Sequence, residues 1–379
     1  LTSKSRLRGI LAVFQFALAI FFMNFTMGLY QQQSFITGYD LGFDKDSTLV
    51  LSFLEEDLTA DDCRIAKNEI LARNDVIGAA RTNRVMGTRF WSQRLFSRPE
   101  REVTDTKYAK YFQVDYDFLE FYGIDLIEGR GFSRDRPEDI DHAILINESM
   151  KAELGVDQPV GQILYTDSAT IEIIGVVKDF EGTALDWSYR AGTMIVLRPD
   201  ANRVLAVKLR PDDIDGSVAS IRETWERAFP EHDFKYSFME DDIRAMYREL
   251  DLIILIFGTL STVSIVIACL GVFGLVSYTV DRRTREIAIR RVLGATIGAV
   301  FGNLTRGLVL LVAIASGVAI PLAYWLIDLA GQDYPYQADI SPAAHTFGGA
   351  LTIVLVLAAA SYHVVKAARA NPTKALRCE

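Results

Sequence analysis

Four long apolar runs stand out from an otherwise mixed chain: Ile10 to Tyr30, Leu252 to Val280, Gly307 to Ile327 and Phe347 to Val365. As helices rising 1.5 Å per residue, each is long enough to cross a hydrocarbon core of roughly 30 Å. Between the first and the second the pattern changes. Short alternating or β-rich runs (Thr48 to Phe53, His142 to Ile146, Thr170 to Val177, Val204 to Leu209, Phe234 to Phe238) interleave with helical patterns (Thr59 to Arg73, Glu148 to Leu154, Ile214 to Phe229). The chain therefore reads as a membrane protein with four transmembrane α-helices and a large α+β domain inserted between helices 1 and 2.

Within this framework a few positions carry their own expectations. From Met239, the spacing of Ile243, Met246, Tyr247 and Leu250 is helical and meets no Pro or Gly before Gly258. This predicts one continuous helix of about 40 residues, on the order of 60 Å, from the inserted domain through the second span. The alternative is a surface helix joined to the span by a break. Gln15 and Asn24 lie inside the first span, where an unpaired amide is costly, so each should find a partner. Nine residues apart, they point to opposite sides of the helix. Ser261, Ser264, Ala268 and Gly271 share a narrow arc of the second span and predict close helix packing, within the bundle or against a second membrane unit. Pro321 should kink the third span.

Charge then orients the spans. Lys4, Arg6 and Arg8 precede the first, five arginines follow the second, and Lys366, Arg369, Lys374 and Arg377 follow the fourth. Asp328 to Ala344 carries three Asp and no Lys or Arg. The positive-inside rule puts both termini and the arginine segment in the cytoplasm and the inserted domain outside. The predicted organisation is a cytoplasmic flank (1–9), helix 1 (10–30), an extracytoplasmic domain (31–250), helix 2 (251–280), a cytoplasmic segment (281–306), helix 3 (307–327), an external loop (328–346), helix 4 (347–365) and a cytoplasmic tail (366–379). Because Leu1 to Gly9 lack an h-region and a cleavage site, the first run reads as a retained span. The start at Leu1 suits a fragment, or the later part of a longer protein.

The net charge of −9 hides an asymmetry, since Gln31 to Asp251 holds 43 acidic and 27 basic residues and is strongly negative. An acidic exterior argues against nucleic acid as a partner, because phosphate binding needs a basic surface. Cys63, Cys269 and Cys378 fall outside, within and inside the membrane, so no pair can form an intrachain disulfide. The four histidines show no metal-ligand spacing. Acidic pairs such as Asp212-Asp213 and Asp241-Asp242 read as loop or cap residues. No G-x-x-x-x-G-K-[ST] occurs, so nucleotide is not held through a P-loop.

The segment after the second span, Asp281 to Thr296, holds the most specific pattern. On a helix, Arg283, Glu286 and Arg290 share one face with Ala288, Ile289, Val292 and Leu293 roughly opposite. Glu286 precedes Arg290 by four, the favourable order for a helical ion pair. Gly294 suits a C′ position and Thr296 an N-cap for the next helix. This predicts a short amphipathic helix lying at the cytoplasmic surface. On pattern alone, the arginines could serve only to anchor the topology.

Thr284-Arg285-Glu286-Ile287-Ala288-Ile289-Arg290-Arg291-Val292-Leu293-Gly294-Ala295 resembles the R-x-R-E-I-x-I-R-x-x-L-G-A signature of the MacB/FtsX family of ABC-transporter permeases. Phe118 to Arg130 (FLEFYGIDLIEGR), Ile144 to Glu148 (ILINE), Pro159 to Gln162 (PVGQ) and Ile173 to Phe180 (IIGVVKDF) are similar to that family's periplasmic core domain, and Asn371 to Arg377 (NPTKALR) to its C-terminal tail. The resemblance implies a bacterial inner-membrane permease subunit that is not itself an enzyme and holds no cofactor, with ATP bound by a separate cytoplasmic ABC ATPase. It implies that Arg283, Arg285, Glu286, Ile287, Arg290, Leu293 and Gly294 form the ATPase-coupling segment, and that the external domain moves as ATP is hydrolysed, for export or extraction of a substrate. A second permease unit, as a homodimer partner or as the other half of a duplicated chain, and a periplasmic partner are implied with it. Two other functions fit the layout: an FtsX-like regulator of cell-wall hydrolases, and a membrane-anchored sensor whose external domain binds a ligand.

Overall fold

Helix α1 (Ser3–Thr37) carries the first apolar run well past its predicted end at Tyr30. There follow β1 (Thr48–Ser52), α2 (Ala60–Leu71), β2 (Val76–Thr82), β3 (Gln93–Ser97), β4 (Lys107–Val114), α3 (Phe118–Tyr122), β5 (Leu126–Gly129), a 3-10 turn at Pro137–Asp139, β6 (Ala143–Asn147), α4 (Glu148–Leu154), β7 (Ile163–Thr166), β8 (Thr170–Val177), β9 (Thr193–Leu197), β10 (Val204–Leu209), α5 (Ile214–Ala228), β11 (Tyr236–Phe238) and α6 (Met239–Met246). Helices α7 (Arg248–Val292), α8 (Ile297–Gly331) and α9 (Gly348–Ala358) follow among the described residues. This computed structural model describes residues 3–53, 58–89, 93–97, 107–166, 170–185, 192–332, 336–338, 346, 348–358 and 361, with side chains for all of these except 3–6, 281, 283–285, 287, 288, 291, 292, 297, 300 and 304. The chain divides into a helical unit, holding α1, α7, α8 and α9, and a mixed unit, Tyr39–Tyr247 with Tyr336.

In the mixed unit the helix starts are set locally. Thr59 and Asp62 form a reciprocal capping box ahead of α2, the Asp62 N–H donating to Thr59 Oγ1 at 3.2 Å and the Thr59 N–H to Asp62 Oδ2 at 2.8 Å. Asn147 caps α4 through Met150 N–H at 3.0 Å, and Asp213 caps α5 through Gly216 N–H at 2.9 Å. The acidic pair at 212–213 is thus a cap, as expected. Asp242 accepts from Ser237 Oγ at 2.6 Å at the start of α6.

The strands pair in the order β11-β1-β10-β2-β4-β3-β7-β8-β6-β9, and β9 returns to pair in parallel with β4. Strands β4, β3, β7, β8, β6 and β9 therefore close a ring, which removes the free edges that an open sheet would present. Strand β5 adds onto β8 outside the ring. The remaining strands, β2, β10, β1 and β11, form an antiparallel sheet that meets the ring at the Thr82–Val114 pair of β2 and β4. Each half has its own core. Leu49, Leu51, Ile70, Leu205, Val207, Ile221 and Trp225 pack α2 and α5 onto the antiparallel sheet. Ile144, Ile146, Met150, Leu164, Ile173 and Met194 fill the ring and seat α4.

In the helical unit α1 packs along both α7 and α8, which scarcely touch one another. Phe16, Ala19 and Ile20 of α1, Ala268, Val272 and Val276 of α7 and Val312, Ala315 and Ala319 of α8 are its buried core. Outward-facing Leu255, Ile256, Val266 and Leu270 on α7 and Leu310, Val318 and Trp325 on α8 are exposed, as lipid-facing residues must be. Helices Leu7–Thr37, Arg248–Val280 and Phe301–Gly331 are long and apolar enough to span a membrane. Of the fourth predicted span, α9 is a shorter apolar helix, and residues 347, 359, 360 and 362–365 lie outside the described residues. Pro321 sits inside α8, which continues through it.

Two expectations about α7 are corrected. The helix from Met239 does not run on into the span: it stops at Tyr247, whose backbone (φ −100°, ψ 7°) leaves the helix. The Tyr247 hydroxyl accepts the Leu185 N–H at 2.9 Å, tying that residue into the mixed unit. The continuous helix lies instead at the other end. No Gly or Pro occurs from Leu275 to Leu293, and α7 extends unbroken past Val280 to Val292, so the arginine segment is the last three turns of the spanning helix rather than a separate surface helix.

Candidate functional site

The end of α7 is set by Gly294. Its φ of 93° is a left-handed conformation that a side chain would strain, and it lets Ala295 N–H return to Arg290 O at 2.9 Å while Leu293 N–H bonds Ile289 O at 3.0 Å. Two residues later Thr296 Oγ1 accepts the Ala299 N–H at 3.2 Å and starts α8. Both cap assignments made from sequence hold.

On this segment Arg290 and Glu286 form the expected ion pair, at 2.6 Å, with half of each side chain exposed. Such a pair contributes only about 0.3–0.5 kcal/mol, so it shapes the surface without holding the helix together. Leu293, an apolar side chain, is 80% exposed. Arg283, Arg285 and Ile287 lie in α7, and their side chains are outside the described residues.

The small-residue face of α7 is used inside the bundle. Ser261 and Ala268 are buried, Ala268 joins the core shared with α1, and a Cβ placed on Gly271 would lie 2.4 Å from Gln15 Oε1. Gln15 thus points at α7. Asn24 faces the other way, and its Oδ1 accepts the Gly348 N–H of α9 at 3.1 Å.

In the mixed unit, the segments that carry the family resemblance are brought together by β5, β6 and β8. Gly129 (φ 76°) and Gly175 sit where two backbones nearly touch: a Cβ on Gly129 would fall 2.3 Å from Ile174 O, and one on Gly175 2.6 Å from Arg130 O. Arg130 then makes a two-pronged ion pair with buried Asp139, at 2.6 and 2.7 Å. Asn147 Oδ1, besides capping α4, accepts the Thr193 N–H at 2.8 Å. Asp179 takes the Ser149 N–H and Oγ at 2.9 and 2.7 Å, and its own N–H donates to Glu148 Oε2 at 3.2 Å. These resembling residues are therefore joints within the ring and between it and β5.

Beside those joints opens a cleft of about 610 Å³, which sequence reasoning missed. Lys110 of β4 reaches into it and donates to Glu181 Oε2 at 2.9 Å, and the Tyr336 hydroxyl donates to the same carboxylate. The rings of Tyr39 and Tyr336 meet edge to face at 5.1 Å. Burial pushes the Glu153 carboxyl up from its usual range against the opposing effects of the Gly192 N–H and Lys107, and Glu153 Oε2 makes no hydrogen bond among the described residues. Of the cleft's lining, Asn147, Ser149, Asp179, Phe180 and Glu181, in or next to the ILINE and IIGVVKDF segments, were within reach of a sequence signal.

A second buried cluster joins the two halves of the unit. Lys67 of α2, 6% exposed, places Nζ 2.6 Å from both Asp115 and Asp117, and Arg81 lies 3.7 Å from Asp115. Burial raises the Asp115 carboxyl, while the bonds from Lys67 and Arg134 outweigh desolvation at Asp117 and lower it. Cys63 lies in the same region, fully buried, its thiol pushed up to about 12 chiefly by desolvation. Among the described residues no group of three or more His, Cys, Asp and Glu is placed to hold a metal.

Comparison with known proteins agrees with this layout. Residues 16–224 match the MacB-like periplasmic core domain, and residues 258–372 match the FtsX-like permease C-terminal domain. The chain is 23% identical over 296 residues to the uncharacterized ABC transporter permease YknZ of Bacillus subtilis (strain 168), which covers 76% of this chain and 74% of YknZ. It is 24% identical over 231 residues to the macrolide export ATP-binding/permease protein MacB of Chromobacterium violaceum, covering 57% of this chain and only 35% of that longer protein. The crystal structure of the periplasmic region of MacB from Actinobacillus actinomycetemcomitans is similar at a TM-score of 0.39 and 14% identity, over 54% of this chain and 94% of that one. With the core-domain match alone reaching from residue 16 to residue 224, and the FtsX-like match following it, the chain belongs to the MacB/FtsX family of ABC-transporter permeases, as a multi-pass membrane protein with a MacB-like core domain inserted ahead of its FtsX-like C-terminal domain.

Proposed function

We propose that this permease is a non-catalytic transmembrane subunit driven by a separate cytoplasmic ABC ATPase, and that residues 281–294 are where the ATPase acts. Both termini and this segment then lie in the cytoplasm of a bacterial inner membrane, and residues 31–250 in the periplasm, for export or extraction of a substrate. The chain carries no P-loop and needs no cofactor of its own in this scheme; ATP belongs to the partner.

The observation that carries the proposal is the continuity of α7. One unbroken helix of 45 residues, about 68 Å long, leaves the core domain at Arg248, crosses the membrane and ends in the arginine-rich turns capped by Gly294. A push on its cytoplasmic end is delivered along a rigid rod. Exposed Glu286, Arg290 and Leu293 offer charge and an apolar tip for a docking surface, with Arg283, Arg285 and Ile287 on the same three turns. A second permease unit, whether a homodimer partner or the other half of a duplicated chain, would meet a face other than Ser261, Ser264, Ala268 and Gly271, since α1 occupies that one. A periplasmic partner would act on the core domain, where the cleft beside α4 is the natural contact.

The test is Glu286→Arg and Arg290→Glu in the full chain. Either breaks an ion pair worth only tenths of a kcal/mol, so membrane levels should hold, while co-purification of an ABC ATPase and stimulation of its activity should fall at least tenfold. Unchanged association and activity in both variants would leave the arginines as topology anchors only.

A further inference from the structure

Between α1 and α7 lies a groove of about 330 Å³ that neither the coupling segment nor the core domain uses. It is lined by matching stripes at positions i, i+3, i+4 and i+7 of each helix: Arg8, Leu11, Ala12 and Gln15 on α1, and Gly271, Gly274, Leu275 and Tyr278 on α7. The helices run antiparallel, so Gln15 meets Gly271 at one end and Arg8 meets Tyr278 at the other. The groove is about 10 Å long. Its floor is apolar, and nothing lies within 4 Å of where a Cβ of Gly274 would stand, so the space is open.

The Tyr278 end is cationic. The Arg8 guanidinium lies 4.2 Å from the Tyr278 ring centroid and that of Arg282 5.2 Å from the same ring. Among the described residues neither arginine is paired with a carboxylate. Two guanidiniums gathered on one ring repel each other unless an anion sits between them. An apolar slot two helical turns long, lying between two membrane-spanning helices and closed at the boundary end by two arginines that meet no carboxylate among the described residues, matches the shape and charge of one molecule.

We propose that this groove binds an anionic phospholipid, with an acyl chain along Gly274 and Leu11 and the headgroup phosphate held by Arg8 and Arg282 over Tyr278. The lipid sits on the face of α7 just ahead of the turns that carry Glu286 and Arg290, and it pins α1 to α7 at that level. Zwitterionic lipid would fill the slot without satisfying the arginines.

The test uses the full chain, purified in mild detergent and exchanged into nanodiscs of mixed phosphatidylglycerol and phosphatidylcholine, with bound lipid read by native mass spectrometry. The wild type should retain phosphatidylglycerol at least tenfold over phosphatidylcholine. Arg8→Gln/Arg282→Gln should abolish that preference, and Arg8→Lys/Arg282→Lys should keep most of it. Gly274→Leu, whose Cβ would stand in open space, should reduce retention of both lipids tenfold while the protein stays monodisperse. Inorganic phosphate at 10 mM should not displace the lipid. Equal retention of the two lipids by the wild type, an unchanged preference in the glutamine variant, or full displacement by phosphate would each overturn the proposal.

Discussion

Asn24, buried in the first span, accepts the backbone N–H of Gly348 of α9 on its Oδ1 at 3.1 Å. In hydrocarbon no water can take the place of either partner. Asn24→Leu should therefore weaken the helical unit by about 1 kcal/mol, within the range of interhelical bonds in membranes. Unfolding of the purified full chain in SDS titration would measure it, and an unchanged midpoint would show that the bond adds nothing.

Lys67 tests the joint between the halves of the core domain. Its ammonium, 2.6 Å from both Asp115 and Asp117, compensates carboxylates that are out of water. Lys67→Met leaves Asp115 buried and unpaired apart from Arg81, and should cost about 3–5 kcal/mol. Lys67→Met combined with Asp115→Asn should recover part of that loss. Thermal melts of the two variants side by side give the comparison.

The domain's C-terminal limit is a third expectation. Met239 is 1% exposed, Ile243 packs at Gly87, and Tyr247 holds the Leu185 N–H, so α6 belongs to the mixed unit. A fragment from Tyr39 to Tyr247 should be soluble and folded by circular dichroism and melt higher than one ending at Met239. Equal melting of the two would deny α6 that role.

Glu153 should give a pH signature. Its folded pKa is raised above the usual 4.5 by burial, so the folded state binds the extra proton and stability declines as pH rises through and above 4.5, the full penalty being present at neutral pH. Glu153→Gln keeps an acceptor and removes the charge. It should raise the melting temperature at pH 7 and leave it unchanged below pH 4.

Cysteine labelling separates fold from sidedness. Cys63 is fully buried with its thiol held near 12, so maleimide should react with it only once α2 opens, and native protein should resist labelling. Exposed Glu231 offers the complementary probe. In a Cys63→Ala background, Glu231→Cys should react with an impermeant maleimide in intact spheroplasts if the core domain lies outside, whereas protection there and reaction only after lysis would place it in the cytoplasm.

What could be read from the residues alone was whatever depends on nearest neighbours along the chain. Spanning helices α1, α7 and α8 follow from run length, because burial in lipid sums residue by residue. The caps at Asp213 and Thr296 follow from side chains that bond within three residues of themselves, that at Gly294 from its freedom to adopt a positive φ, and the Glu286–Arg290 pair from a spacing of four. Strands β6, β8 and β10 showed as β-rich runs. Strand β4 did not, because KYAKYFQV looks half polar and Lys110 is buried only through Glu181, 71 positions later. Closure of the ring needed β9 to pair with β4 across the whole domain, and the break at Tyr247 needed Leu185, 62 positions earlier. The cleft of Lys110, Asp179, Glu181 and Tyr336 and the groove between Arg8 and Tyr278 likewise join residues far apart in the chain. Their energies arise only when distant segments share a desolvated neighbourhood, so tertiary packing alone decided them.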